Sequence, residues 1–495
     1  MTKCAARGAT ASMVVALGLI FWSGCGGSGG DSSSVASLEH WNHIAIDASG
    51  RDHTPVSTSA SLVYLDDATG PAADHVFGEQ LGPGRSSRAM AIVHLAVFEA
   101  VNAVVGGYES YVGLSAAPAG TSVEGAIARA AHDTLSALYP SQTAIFDAQL
   151  AADEDSLGDS PSVRRGLDLG KEAAAAVLGD RTGDGSDHPE PSIGIDYIPG
   201  ITPGVWRQDP ISRHPLALGA RWAEVRPFVL ETADQYRIPP PPALDSKEYA
   251  EAFNEVKRLG GDGVTTQTDR TEEQTFIGTY WAYDGTPSLC APPRLYNQIV
   301  MQLALDRGAT LIEMARLLAL VNVAMADGAI AAWDSKYHYA FWRPIAGIRE
   351  ADEGTGPTGI GDANPGTEGD ESFTPLGAPA SNLTGPNFTP PFPAYPSGHA
   401  VFGAAVFETL RRFYGTDEIP FTFVSDEFNG VTQDNQGVVR PLRPRSFATL
   451  SEAEEENGQS RIYLGIHWSF DKTEGIKQGR HVADYVFDHA FRPIQ

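Results

Sequence analysis

Three cysteines in 495 residues, Cys4, Cys25 and Cys290, are too few for a disulfide framework. Stability must therefore come from packing, for which a 42% hydrophobic composition is ordinary material. Positive charge is also scarce: 35 Lys and Arg stand against 62 Asp and Glu, a formal net charge of −27. That balance excludes an electrostatic nucleic-acid role, because phosphate recognition needs clustered cations. It also means that an acidic chain binding an anion must gather its few cations in one place. Long alternating runs of β-branched residues are missing, which argues against a large sheet, and no short internal repeat is visible.

The first 24 residues stand apart. Lys3 and Arg7 precede "SMVVALGLIFW", an apolar run too short to span a membrane comfortably. Ser23, Gly24 and Cys25 then resemble the end of a bacterial lipoprotein signal, whose cysteine becomes lipidated. The expectation is an exported chain with a signal peptide over 1–24 and a lipid anchor at Cys25; otherwise the chain is periplasmic or secreted. "GGSGGDSSS" behind it reads as part of a flexible tether over 25–40. Only Cys290 is left in the body, expected as a small buried apolar group.

Helical periodicity dominates the rest of the chain. "SRAMAIVHLAVFEAVNAVVGG" (87–107) ends in paired glycines that suit a helix stop, and three Ala-rich segments succeed it by residue 181. Breaks rich in Gly, Pro and Asp occur at 182–204 and 238–245. Helical patterns then resume, the longest being "TLIEMARLLALVNVAMADGAIAAWDSKY". A Gly/Pro-rich loop over about 351–395, a helix after Pro396, an acidic irregular stretch to about 458 and a last helix from about 460 complete the chain. The fold class expected is all-α: two packed helical bundles, 41–237 and 238–495, with the chemistry in the second.

Three clusters carry that chemistry. In "KYHYAFWRP", Lys336 and Arg343 are seven apart, which on one continuous helix places them on the same face. In "PPFPAYPSGHAVFG", Ser397, Gly398 and His399 sit where a proline-rich loop meets a helix. Phe402, Val406, Leu410 and Phe413 would anchor that helix in the core. In "SRIYLGIHWSFD", Arg461, His467 and Asp471 follow one another, and helical spacing would let the carboxylate fix one nitrogen of His467. Each cluster alone has a plainer reading: a solvated helix face, a serine N-cap, a surface ion pair. Together they make an oxyanion site. Three cations, a hydroxyl and a helix-start amide supply donors, one histidine is a nucleophile or ligand, and another is an acid/base.

The order Lys-x6-Arg-Pro, Pro-Ser-Gly-His, Ser-Arg-x5-His-x3-Asp resembles the signature shared by vanadium-dependent haloperoxidases and type 2 phosphatidic acid phosphatases. "WDSKYHYAFWRPIAGIR", "YWAYDG" and "PPRLYNQI" resemble the haloperoxidase branch, notably the fungal vanadium chloroperoxidase type. That resemblance covers about 270–490 and implies two packed four-helix bundles. It further implies vanadate held on His467, without haem, its oxygens met by Lys336, Arg343, Ser397, Gly398 and Arg461. His399 would be the acid/base, assisted catalytically by Lys336; Trp333 and Phe392 would line a halide pocket; Asp471 and Asp284 would support the ligand and an arginine. Hydrogen peroxide and chloride or bromide would be the substrates, the organic acceptor being unidentified. His94, His338, His481 and His489 receive no role. Two rival readings share the pocket: an acid phosphatase with His467 as nucleophile, and a lipid-anchored oxyanion-binding protein without turnover.

Overall fold

The computed structural model describes residues 29–55 and 75–494, with side chains from residue 32 onward. The expectations for the signal peptide and for Cys25 lie outside these residues. The first half carries α1 (Gly29–Asp52), α2 (Gly82–Val105), α3 (Val123–Leu138), α4 (Thr143–Leu157) and α5 (Pro161–Asp180). The second half carries α6 (Lys247–Leu259), α7 (Glu272–Tyr280), α8 (Pro293–Asp306), α9 (Leu311–Tyr339) and α10 (Pro344–Arg349). It closes with α11 (Gly398–Tyr414), α12 (Leu450–Tyr463) and α13 (Ser469–His489).

Local chemistry sets many of these bounds. Ser122, Ser160 and Ser246 accept from the third amide of α3, α5 and α6 respectively, satisfying donors that a helix start leaves bare. Thr271 with Gln274 and Thr310 with Glu313 form capping boxes at α7 and α9. Gly106 ends α2 at φ 81, as the paired glycines predict.

Helices α1, α2, α3 and α5 pack as one bundle, and α9, α11, α12 and α13 as a second. The two bundles join where α2 lies along α9, so a single hydrophobic core runs from Leu38 to Phe491. Both α2 and α9 are long and apolar enough to cross a membrane, yet α9's apolar window is 100% buried within the protein and α2's 83%. They are core helices. Of the four anchors on α11, Phe402, Val406 and Leu410 are fully buried and Phe413 is half-buried. The only named strands among the described residues, β1 (Phe421–Phe423) and β2 (Arg445–Phe447), pair antiparallel with Phe421 opposite Phe447.

Three expectations are corrected. The tether over 25–40 is helical from Gly29, because Leu38, Trp41 and Ile44 pack into the core and Ser34 bonds Glu124 on α3. Glycine and serine dominate only the start of that stretch; "VASLEHWNHIAI" behind it has helical apolar spacing. Of the acidic irregular stretch expected to about 458, the last part, from Leu450, instead belongs to α12, which Thr449 caps and Gly465, at φ 72, separates from α13. Cys290 is buried but not in apolar surroundings: its Sγ lies 2.7 Å from Ser49 Oγ, and His53 beside it lowers the thiol pKa against the effect of burial.

Candidate active site

The site begins at the end of α9, whose last turns carry Trp333 and Lys336. The helix stops at Tyr339, with Ala340 left-handed at φ 45, so Lys336 and Arg343 do not share a helical face. Arg343 precedes Pro344, and the proline ring holds it extended at φ −80, ψ 156, as the N-cap of α10. The two cations come together regardless, at one ring: Lys336 Nζ is 5.0 Å and Arg343 Cζ 4.9 Å from the Phe392 centroid.

Lys336 is fully buried, and its ammonium donates to the carbonyls of Pro393 (2.8 Å), Ala394 (3.1 Å) and Pro396. Three acceptors use all three protons. Lys336 thus ties the proline-rich loop to α9 and lends the site its charge, and it can touch an oxyanion only by exchanging one of these bonds. Burial, reinforced by Arg343, pushes its pKa well down.

Ser397 is the N-cap of α11, but its side chain makes no capping bond. Its amide instead donates to Asp471 O at 3.0 Å, fixing the junction against the start of α13. The helices can approach this closely because α13 presents glycines: a Cβ on Gly475 would lie 2.9 Å from Ser397 O, and one on Gly479 2.2 Å from Val401 O. In the first turn of α11, the His399 carbonyl receives Tyr296 Oη (3.1 Å) and Asn457 Nδ2 (2.8 Å). The His399 Nε2 is 2.5 Å from Ala282 O. A carbonyl only accepts, so Nε2 carries the proton and Nδ1 is a bare base. Burial and the nearby Arg461 and other cations hold this imidazole neutral, with its pKa well below the ordinary value.

His467 lies just before α13, not within it, and Asp471 reaches it from the helix's first turn. Asp471 Oδ2 accepts from Trp468 N (3.0 Å) and from His467 Nδ1 (2.8 Å). Burial raises Asp471 to about 7, whereas burial with Arg343 and Lys336 lowers His467 well below its usual range. With its proton on Nδ1, His467 offers a lone pair at Nε2, which Arg343 Nη1 faces at 2.8 Å. Arg343 also donates to Phe392 O (2.9 Å) and Ile466 O (2.8 Å). Arg461, in the last turn of α12, donates Nη2 to both oxygens of Asp284 at 2.7 Å. Asp284 therefore holds one arginine in place, and burial raises its own pKa.

What these groups leave over defines the ligand. Ser397 Oγ, Arg343 Nη2, and Arg461 Nε and Nη1 are buried without a hydrogen-bond partner. Burial drives Arg343 down to about 9, Asp471 opposing and Arg461 adding to the shift, which is the signature of positive charge crowded in a dry place. Unpartnered donors beside an unprotonated imidazole nitrogen suit a tetrahedral oxyanion such as vanadate or phosphate. Trp333 and Phe392, with ring centroids 5.0 Å apart, share a cavity wall with Gly398, His399, Arg461 and His467.

All the site residues expected from the sequence thus gather in one region, although Lys336, Arg343, Ser397 and Asp471 are not among those that line the cavity. Sequence reasoning missed the backbone carbonyls that fix Lys336 and His399, since a carbonyl carries no residue signature. It also missed Asn457, and His53, Gly82 and Pro83 of the first bundle, which line the same cavity. Tyr296 stood within the motif "PPRLYNQI". Of the four histidines given no role, none lines this cavity.

Residues 316–495 match the model of a family described as the vanadium chloroperoxidase (VCPO) second helical-bundle domain. The chain is 30% identical over 510 residues to vanadium chloroperoxidase of Curvularia inaequalis, covering 87% of this chain and 78% of that one. Its fold is similar to that of the first bacterial vanadium-dependent iodoperoxidase: TM-score 0.67, 23% identity, 93% of this chain and 97% of that one. A holo-type bacterial vanadium-dependent chloroperoxidase aligns at TM-score 0.61 and 18% identity, covering 83% and 92%.

Proposed function

Since the chain belongs to the vanadium haloperoxidase family, we propose that it is a vanadate-dependent enzyme that uses hydrogen peroxide to oxidise chloride or bromide to hypohalous acid. The observation that carries this reading is the set of buried, unpartnered donors on Ser397, Arg343 and Arg461, gathered with His467, whose Nε2 carries a lone pair that only Arg343 meets. His467 would hold vanadate. Ser397, the Gly398 amide, Arg343 and Arg461 would meet its oxygens, and Lys336 would contribute charge. When bound, vanadate supplies a Lewis-acidic centre at its highest oxidation state that activates peroxide toward a halide.

The protein's own work is proton handling and exclusion of water. Neutral His399 can take a proton from hydrogen peroxide at Nδ1, because Nε2–H is committed to Ala282 O. That held base speaks against a mere binding protein, which needs donors but no acid/base. Asp471 keeps His467 in the tautomer that binds, and Asp284 keeps Arg461 turned inward. Trp333 and Phe392 give the halide an apolar, desolvating wall beside these groups. The same proposal places the protein outside the cytoplasm with Cys25 acylated, which a shift from membrane to soluble fraction in Cys25→Ser would test.

The decisive experiment incubates the protein with vanadate, peroxide and bromide or chloride and follows halogenation of a small 1,3-diketone. Halogenation that requires vanadate is the expected result. Its absence, together with phosphate-ester hydrolysis in vanadate-free protein, would instead establish the phosphatase reading.

A further inference from the structure

One short turn after α7 holds two working groups of the site. The carbonyl of Ala282 fixes the proton of His399 on Nε2, and the carboxylate of Asp284 holds Arg461. Between them stands Tyr283, fully buried and left-handed at φ 47. A bulky residue at positive φ is a true outlier, because its Cβ crowds the backbone, and it persists only where the surroundings hold it. That torsion sets the Ala282 peptide against Asp284. Were φ to relax to a negative value, the Ala282 carbonyl would rotate away relative to Asp284, and the two contacts could not both survive.

The tyrosine side chain is what holds the torsion. Tyr283 Oη donates to Gln298 Oε1 of α8 at 3.1 Å and accepts from Asp426 N at 2.6 Å. Asp426 Oδ2 in turn receives Gln298 Nε2 and Arg294 Nε, each at 2.9 Å. Arg294 reaches on to α1, donating to Ile46 O (2.7 Å) and Asp47 Oδ1 (2.9 Å). Next to Asp426, Ser425 Oγ donates to Tyr280 O at 2.6 Å and clamps the start of the turn. Burial drives the Tyr283 phenol well above its ordinary pKa, so the hydroxyl keeps its proton for Gln298. Neither Tyr283, Gln298, Asp426 nor Arg294 lines the cavity.

We propose that Tyr283 is a positioning residue of the site: its hydroxyl, held between Gln298 and Asp426, keeps the turn that aims Ala282 O at His399 and Asp284 at Arg461. The inference rests on the haloperoxidase reading and adds to it a residue outside the cavity lining. One hydroxyl thereby serves two functions. The orientation of Arg461 bears on vanadate affinity, and the tautomer of His399 bears on proton transfer from peroxide. The contacts from Asp426 through Arg294 to Asp47 also carry this support back to the first bundle.

The test compares wild type, Tyr283→Phe, Asp284→Ala and the double variant, with vanadate as the probe. Calorimetry should show vanadate bound about fivefold more weakly by Tyr283→Phe than by wild type. The double variant should bind it no more weakly than Asp284→Ala, because both changes act through Arg461. At saturating vanadate, kcat for bromination of a small 1,3-diketone should fall about fivefold in Tyr283→Phe, with the KM for bromide unchanged. A merely structural hydroxyl would lower the denaturation midpoint and leave affinity and kcat alone. That result, or losses of affinity that add in full in the double variant, would overturn the inference. Gln298→Met removes the acceptor of the hydroxyl and leaves the ring in place; it should show the same coupling to Asp284, and it decides the case if Tyr283→Phe does not fold. Wild type that binds vanadate but brominates no diketone would overturn the haloperoxidase reading, leaving the affinity cycle to judge Tyr283.

Discussion

Ser397 Oγ, Arg343 Nη2 and two nitrogens of Arg461 each lack a partner in a dry place, and an unsatisfied buried group costs about 1–3 kcal/mol. An oxyanion would complete all of them at once. Ser397→Ala should therefore weaken vanadate binding about tenfold, roughly 1.4 kcal/mol, without lowering the stability of the vanadate-free protein. Calorimetric titration and a denaturant melt check the two halves. His467→Ala should abolish vanadate binding, whereas His399→Ala should retain it and lose turnover. Equal loss of binding in both would contradict the assigned roles. At this scale the sequence was readable because hydroxyl, guanidinium and imidazole announce their chemistry. It could not show that Lys336 is spent on three loop carbonyls, since those acceptors are backbone atoms of Pro393, Ala394 and Pro396.

Helix α13 holds the serine–histidine shelf by lying against α11, and Gly475 and Gly479 permit that approach. Gly479→Ala would push a methyl to 2.2 Å from Val401 O, so the helices must separate, at a cost of about 2 kcal/mol. A lower denaturation midpoint with weaker vanadate binding is expected; an unchanged midpoint would show that the contact relaxes freely. Helix α2 contributes a different liability in His94, which burial lowers to about 3 and whose Nε2 has no partner. The unfolded chain protonates this ring near its ordinary value of about 6.5, whereas the folded chain resists until about 3. Between those values the unfolded state binds more protons, so this group costs stability as pH falls. His94→Leu should reduce the loss of stability over that window, as read from denaturation midpoints against pH. Helix existence was legible from period and caps, but the ends of α9 and α12 were not, because left-handed Ala340 and Gly465 interrupt patterns that continue in sequence.

On the scale of the whole molecule, the two bundles share one core, and the cavity before the site draws walls from both. Anion binding should therefore stabilise the entire fold. Vanadate at a hundred times its dissociation constant should add about 2.7 kcal/mol by mass action. Wild type should show this as a raised unfolding midpoint and His467→Ala should not. A lone second bundle should lack the outer wall that Phe77 and Leu81 provide.

The sequence by itself determined the helical class and singled out the residues that the fold gathers at the candidate oxyanion site. Apolar period, cap residues and charged side chains are local properties, legible wherever they occur. Only the tertiary structure decided which donors stay unpartnered, which nitrogen of each histidine bears the proton, and how Lys336 is occupied. Those outcomes depend on backbone carbonyls and neighbouring helices distant along the chain: Ala282 for His399, and Pro393, Ala394 and Pro396 for Lys336. It likewise decided that residues 29–40 form a helix, because burial against α3 and the core outweighs the flexibility that a glycine-serine start implies.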